Sequence, residues 1–199
     1  MRLVLAFLFL ACAGCASGSE SPPPEPSASA PPTPAPEPAL AVDTSAVAPS
    51  AQPDTVRATW TAGITEVERP PGEAVLRAVR SATHDGFDRT VFEFDGGVPS
   101  YHVEYIDEPV RQCGSGKVVP LPGDGWLEVR FDYARAHTPA GAPTVAERSR
   151  SPELPVLRAL SLTCDFEGTV TWVLGLAAPN HYRVFELSDP ARLVVDVRT

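Results

Sequence analysis

The chain has 199 residues, of which 16 are Lys or Arg and 25 are Asp or Glu, so its formal net charge is −9. Lys117 is its only lysine. A balance this acidic argues against nucleic acid as the partner, because nucleic-acid binding draws on clustered Lys and Arg side chains.

The first residues have the layout of a secretory signal peptide. Arg2 precedes a short apolar run at residues 3–11, which is shorter than the roughly 20 residues that a membrane-spanning helix needs. Cys12-Ala13-Gly14-Cys15 then resembles a lipobox, although Cys12 stands where such motifs usually carry Leu. We therefore predict a signal peptide over residues 1–14 and lipidation of Cys15. The alternative is an ordinary cleaved signal.

Residues 15–56 are dominated by Pro, Ala, Ser and Thr, with runs such as Pro22-Pro23-Pro24. Such a segment cannot bury enough apolar surface to offset the entropy of ordering, so we expect a disordered, proline-rich tether. It contains no Lys or Arg that would attract anionic lipid head groups. The membrane should therefore be contacted through the N-terminal lipid only.

Residues 57–199 are long enough for one domain with its own core, and their pattern predicts an all-β fold. A polar turn at residues 84–88 leads into a strand in which Phe92 and Phe94 share one face, which we expect to be buried. The predicted strands cover residues 75–82, 89–95, 100–106, 126–133, 156–164, 169–176, 181–187 and 192–198. They make two meanders with one apolar face each, which predicts a two-sheet β-sandwich, with a closed barrel as the alternative.

Between the two meanders, residues 134–155 have no strand pattern and are rich in proline. This is the most basic stretch of the chain, with Arg135, His137, Arg148 and Arg150. Irregular segments of this length are either functional loops or solvated insertions, and the sequence leaves both interpretations open.

Three motifs carry a resemblance to a known family: HDGFDRTVFEFDG at residues 84–96, DFEG at residues 165–168 and LSDPARLVVDV at residues 187–197. Over roughly residues 75–198 the chain resembles the AMIN-like domain of bacterial envelope lipoproteins. That family is similar to the AMIN domains that accompany cell-wall amidases and secretins. The resemblance implies a small β-sandwich that contacts peptidoglycan and carries no catalysis of its own.

The function expected from this resemblance is that of a non-catalytic lipoprotein without a cofactor. It would be secreted across the cytoplasmic membrane, anchored by lipid in the bacterial cell envelope, and bind peptidoglycan or an associated cell-wall polymer. The alternative is a protein-interaction module that serves an envelope complex, such as a secretin or the division machinery.

The candidate ligand-binding residues are the polar turn and one aromatic side chain, namely His84, Asp85, Asp88, Arg89 and Tyr101. A glycan site needs hydrogen-bonding groups beside an aromatic ring, and we expect Asp88 and Arg89 to face solvent at one end of the sandwich. The turn residues have a simpler explanation, which is that they only shape the hairpin.

Cys113 and Cys164 form an even pair in a chain sent to an oxidising compartment, so they predict a disulfide, with a free buried thiol at Cys164 as the alternative. No CxxC or HExxH spacing indicates a metal site. The stretch around Gly116-Lys117 lacks the first glycine of a P-loop, since Arg111 stands there, and no G-x-S-x-G motif occurs. We therefore predict no catalytic residues.

Overall fold

The computed structural model describes residues 58–199, which form strands, turns and loops. The predicted signal peptide, the lipidation site Cys15 and the tether lie outside the described residues. The strands are β1 (Thr65–Val67), β2 (Ala74–His84), β3 (Phe87–Asp95), β4 (Ser100–Ile106), β5 (Gly125–Asp132), β6 (Ala134–Arg135), β7 (Ser149–Arg150), β8 (Leu157–Phe166), β9 (Thr169–Leu176), β10 (Tyr182–Leu187) and β11 (Ala191–Arg198). Within this part of the chain, no helix has the length and apolar character needed to cross a membrane.

The strands form two sheets that pack as a sandwich, which confirms the predicted fold class. The six-stranded sheet has the order β1-β4-β5-β9-β8-β7, and the five-stranded sheet has the order β10-β11-β3-β2-β6. The expectation that each meander would supply one sheet was wrong. Each sheet takes strands from both halves of the chain, because β5 pairs with β9 and β3 pairs with β11.

The hairpin of β2 and β3 closes on a two-residue turn, Asp85-Gly86, whose glycine has a left-handed φ of 82°. Further along β3, Phe92 and Phe94 are buried, as predicted. Their rings meet the ring of Phe131 in the opposite sheet edge-on, with centroids 5.2 and 4.9 Å apart. Alternation along β3 therefore sends these rings into the space between the sheets.

A long connection between β4 and β5, residues 107–124, returns over the outer face of the six-stranded sheet. We call it the flap. Val110 and Leu121 of the flap pack with Val173 and Ala159 into a second, smaller core. Cys113 in the flap forms a disulfide with Cys164 in β8, with an S–S distance of 2.18 Å, so the predicted pairing is confirmed.

The segment before the first predicted strand also belongs to the domain. Thr61 exchanges two backbone hydrogen bonds of 2.8 Å with Tyr182 at the edge of the five-stranded sheet. A few residues later, β1 pairs with β4 at the edge of the six-stranded sheet. This strap therefore contacts both sheets along one side of the sandwich.

Residues 134–155 are mostly irregular, as predicted, but contain the short strands β6 and β7. Their basic side chains have acidic neighbours. Arg135 lies 3.5 Å from Glu73, whereas His137 and Arg148 contact Asp165 at 2.8 and 3.1 Å. The stretch is therefore largely neutralised by carboxylates.

Candidate functional site

Asp88 is buried, so the prediction that it faces solvent was wrong. Its side chain belongs to the inward face of β3, and the residue is only 2% exposed. One carboxylate oxygen, Oδ2, accepts hydrogen bonds from the backbone N–H groups of Val156 and Leu157 at 2.6 and 2.9 Å. Asp88 thus fixes the start of β8 and is not available to a ligand.

Arg89 is also mostly covered, with a side chain only 16% exposed, which corrects the second half of that prediction. Its guanidinium donates to both carboxylate oxygens of Asp196, at 2.7 and 3.0 Å. Asp196 is completely buried and accepts a further hydrogen bond from Arg183 at 2.8 Å. The ring centroids of Phe87 and Phe185 each lie 5.2 Å from the guanidinium carbon of Arg89. Arg89, Arg183 and Asp196 therefore form a charged cluster, flanked by aromatic rings, on the outer face of the five-stranded sheet.

The remaining predicted ligand residues lie far apart in the fold. His84 and Asp85 are exposed at the turn between β2 and β3. Tyr101 lies at the start of β4, close to the opposite end of the sandwich, and is buried. Its hydroxyl group donates to Glu186 at 3.2 Å, and burial followed by the nearby Glu186 charge raises the pKa of Tyr101 to about 12. The five predicted residues therefore do not form one site.

The outer face of the six-stranded sheet offers a better candidate, which we call the polar platform. Polar side chains of β4, β5 and β9 alternate with residues that point into the core. Register places His102 opposite Arg130, and it places Asp132 between Ser100 and Thr169. The platform consists of Glu66, His102, Glu104, Glu128, Arg130, Asp132 and Thr169.

At the end of the platform, the chain crosses from one sheet to the other through Tyr133. This residue follows β5 and precedes β6, and its φ is 61°. A left-handed conformation is unusual for a tyrosine and is a reason to look for function at this position. The residue is 46% exposed and lines a groove of about 270 Å³ together with Tyr101, His102, Arg130 and Asp132.

Several buried nitrogen atoms of the groove make no hydrogen bond within the described residues. They are both ring nitrogens of His102 and the Nε atom of Arg130. Carboxylates lie near them, Glu104 at 3.1 Å and Glu66 at 3.6 Å from His102 and Asp132 at 3.4 Å from Arg130 Nε, but these contacts do not meet the distance and angle limits of a hydrogen bond. Buried polar groups are normally paired, so these atoms are suited to a ligand or to water.

The electrostatics of the platform favour a ligand that is not an anion. Glu66, Glu104, Glu128 and Asp132 supply four carboxylates against the single guanidinium of Arg130. Burial, assisted by Glu104 and opposed by Arg130, raises the pKa of Glu128 above its ordinary value. Carboxylates also accept hydrogen bonds from hydroxyl and amide groups, so the groove can bind a neutral polar molecule.

Of the predicted ligand residues, Tyr101 lines this groove, whereas the sequence analysis did not select His102, Arg130 or Tyr133. The alternation of 126–133 already sent Glu128, Arg130 and Asp132 outward, so one row of the platform was visible. The predicted meander already put β4 beside β5, but the sequence did not give the register that places His102 opposite Arg130. The left-handed backbone at Tyr133 also had no glycine or asparagine to signal it.

The family model of the AMIN-like domain matches residues 74–199, which is more than half of the chain. No curated protein and no solved structure matches the chain significantly. AMIN-like domains are non-catalytic binding modules that are associated with the bacterial envelope. The matched range contains every strand from β2 to β11, and the chain therefore belongs to the AMIN-like domain family.

Proposed function

We propose that this domain binds the glycan of peptidoglycan through the groove beside Tyr133. The observation that carries the proposal is the exposed tyrosine ring next to buried side-chain nitrogen atoms that make no hydrogen bond among the described residues. Sugar rings pack their C–H faces on aromatic rings, while their hydroxyl and acetamido groups need donors and acceptors. The groove provides both kinds of contact.

The charge of the platform supports a neutral glycan over an anionic wall polymer. A phosphate-rich polymer would need a local cluster of cations to overcome the acidic protein. Arg69 at the groove is held by Glu186 at 2.6 Å. At the other end of the sandwich, Arg89 and Arg183 share the buried Asp196. Such paired guanidinium groups supply little attraction for a second anion.

The predicted N-terminus fits a wall-binding role. A lipid on Cys15 would hold the protein in the envelope, and the predicted tether would reach about 35 Å as a flexible coil or ~120 Å if stiffened by proline. We propose that the domain binds peptidoglycan within this reach of the membrane surface, with the lipid as the sole membrane contact.

Sedimentation of the purified domain with insoluble peptidoglycan tests the proposal. Tyr133→Asn removes the ring, and asparagine tolerates the left-handed backbone, so the variant should fold as well as the parent. We expect it to lose at least tenfold in wall affinity. His84→Ala is the matched control, because His84 is exposed at the end of β2, at the opposite end of the sandwich, and this variant should bind normally. Equal binding by Tyr133→Asn and the parent would remove the groove from the site.

A protein-interaction module is the second candidate, and one edge of the five-stranded sheet favours it. β6 pairs with β2 only at Ala74 and Val75, so the rest of that edge, up to His84, has no neighbouring strand in the described part of the chain. Open edges accept an extended segment of a partner. If the domain does not sediment with peptidoglycan, crosslinking from this edge to an envelope protein would favour the second candidate instead.

A further inference from the structure

A second exposed aromatic ring lies at the same end of the six-stranded sheet as Tyr133. Phe166 ends β8 and is 60% exposed. It pairs with Thr169 of β9, and Thr169 in turn pairs with Asp132 of β5, directly before Tyr133. Directly opposed residues of antiparallel strands point to the same face, so Phe166 shares the outer face with the polar platform.

The row from Asp132 through Thr169 to Phe166 crosses two strand intervals. Neighbouring strands are about 4.8 Å apart, so the backbone positions of Asp132 and Phe166 are separated by roughly 10 Å. Thr169 between them donates a hydrogen bond from its hydroxyl group to Asp132 Oδ1 at 3.3 Å. The platform is therefore continuous from the Tyr133 groove to Phe166.

Clefts lie beside both rings. One of about 390 Å³ is lined by Tyr133, Glu73 and Arg135 and by the turn residues Glu167 and Gly168. Another, of about 470 Å³, lies beyond the turn and is lined by Phe166, Leu162 and Gln112, among others. Arg135 contributes a further buried Nε atom with no hydrogen-bond partner in residues 58–199.

The segments that hold the two clefts are fixed to one another. Asp165, next to Phe166, accepts hydrogen bonds from the backbone of Ala136 and from Arg148, at 2.9 and 3.1 Å, and its Oδ1 lies 2.8 Å from His137 Nδ1. The Cys113–Cys164 disulfide ties the flap to the same stretch of β8. The two rings are thus held by a common frame, which reduces the entropy lost when one ligand contacts both.

From this arrangement we infer that the binding site extends from Tyr133 to Phe166 and that its ligand is an uncharged glycan chain that spans both rings. The inference rests on the proposed function, since it assigns a second subsite to the same ligand. A single disaccharide would occupy the Tyr133 groove. A longer chain would continue over the Glu167-Gly168 turn and place another sugar on Phe166.

The probes are glycan strands of peptidoglycan, freed of peptide and separated by length, with their lactyl carboxyl groups converted to amides, because the free carboxylates would make the strands anionic. Calorimetry should show that an octasaccharide binds the parent about tenfold more tightly than a disaccharide. Part of that gain is statistical, because a longer chain offers more binding registers. Phe166→Ala measures the part that comes from contact with Phe166. This variant should bind the octasaccharide severalfold more weakly than the parent does, and it should bind the disaccharide with the same affinity as the parent. Val118→Ala, at an exposed apolar residue of the flap, is the control and should change neither affinity.

Different outcomes would overturn the proposed function and the extension of the site to Phe166. If neither saccharide binds the parent, the proposed function is wrong. Another outcome is that both saccharides bind the parent, that Tyr133→Asn weakens the binding of both, and that Phe166→Ala changes the binding of neither. In that case the groove is the binding site, and the extension to Phe166 is overturned. Phe166 is exposed, so its substitution should leave the melting temperature unchanged and the comparison valid.

Discussion

Glu128 is the platform residue whose surroundings disfavour the charged form of its carboxyl group. It lies between Glu104 and the partly covered Arg130, and burial is the main reason that its pKa is raised. A carboxyl group with a raised pKa in the folded state favours its protonated form. Its contribution to stability is therefore complete below the pKa of the unfolded chain and is lost as pH rises through the folded pKa.

We accordingly expect Glu128→Gln to raise the free energy of unfolding at neutral pH. The gain should shrink as pH falls through the raised folded pKa of Glu128, and it should be gone below about 4.3, the ordinary pKa of Glu, because the parent is then protonated in both states. Urea unfolding across this pH range measures the effect. Glu66→Gln, on the same platform but half exposed, is the control and should change stability little at any pH. A pH-independent difference for Glu128→Gln would contradict the argument.

At the scale of strands, the flap is the element whose position depends most on a single covalent bond. Val110 and Leu121 make only a small core with Ala159 and Val173, outside the main core between the sheets. The disulfide joins residues 51 positions apart. On the chain-entropy model, closing a loop of this size stabilises the domain by up to about 4 kcal/mol.

Replacing both Cys113 and Cys164 by Ser should lower the melting temperature while the sandwich itself stays folded. Hydrogen exchange should then accelerate in residues 107–124 and remain slow in β3 and β5, whose side chains fill the main core. Reduction of the parent should reproduce this pattern. Uniform loss of protection in all strands would show instead that the flap and the sandwich unfold as one unit.

The β2–β3 hairpin and the inward-facing residues of each strand could be predicted, because both depend on the alternation of apolar and polar residues within a short stretch of sequence. The same rule would have placed Asp88 inward, since it shares parity with Phe92 and Phe94, but its polarity suggested solvent. Its partners, the N–H groups of Val156 and Leu157, lie 68 and 69 residues away. The Asp196 partner of Arg89 and the mixed strand order are likewise long-range, and the sequence pattern does not specify which strands pair.

At the scale of the whole molecule, binding and anchoring reside in different parts of the chain. The candidate groove lies entirely within residues 58–199, whereas the predicted lipid site is Cys15.

Cys15→Ser should therefore move the protein out of the membrane fraction and leave the peptidoglycan affinity of the domain unchanged. Cys12→Leu is the matched control, because it removes the other cysteine and places the usual Leu at that position of the lipobox, and it should stay membrane-bound. Fractionation and mass spectrometry of the mature N-terminus measure the outcome. An unlipidated N-terminus other than Cys15 in the parent would refute the anchor, and loss of wall binding in Cys15→Ser would refute the separation of the two roles.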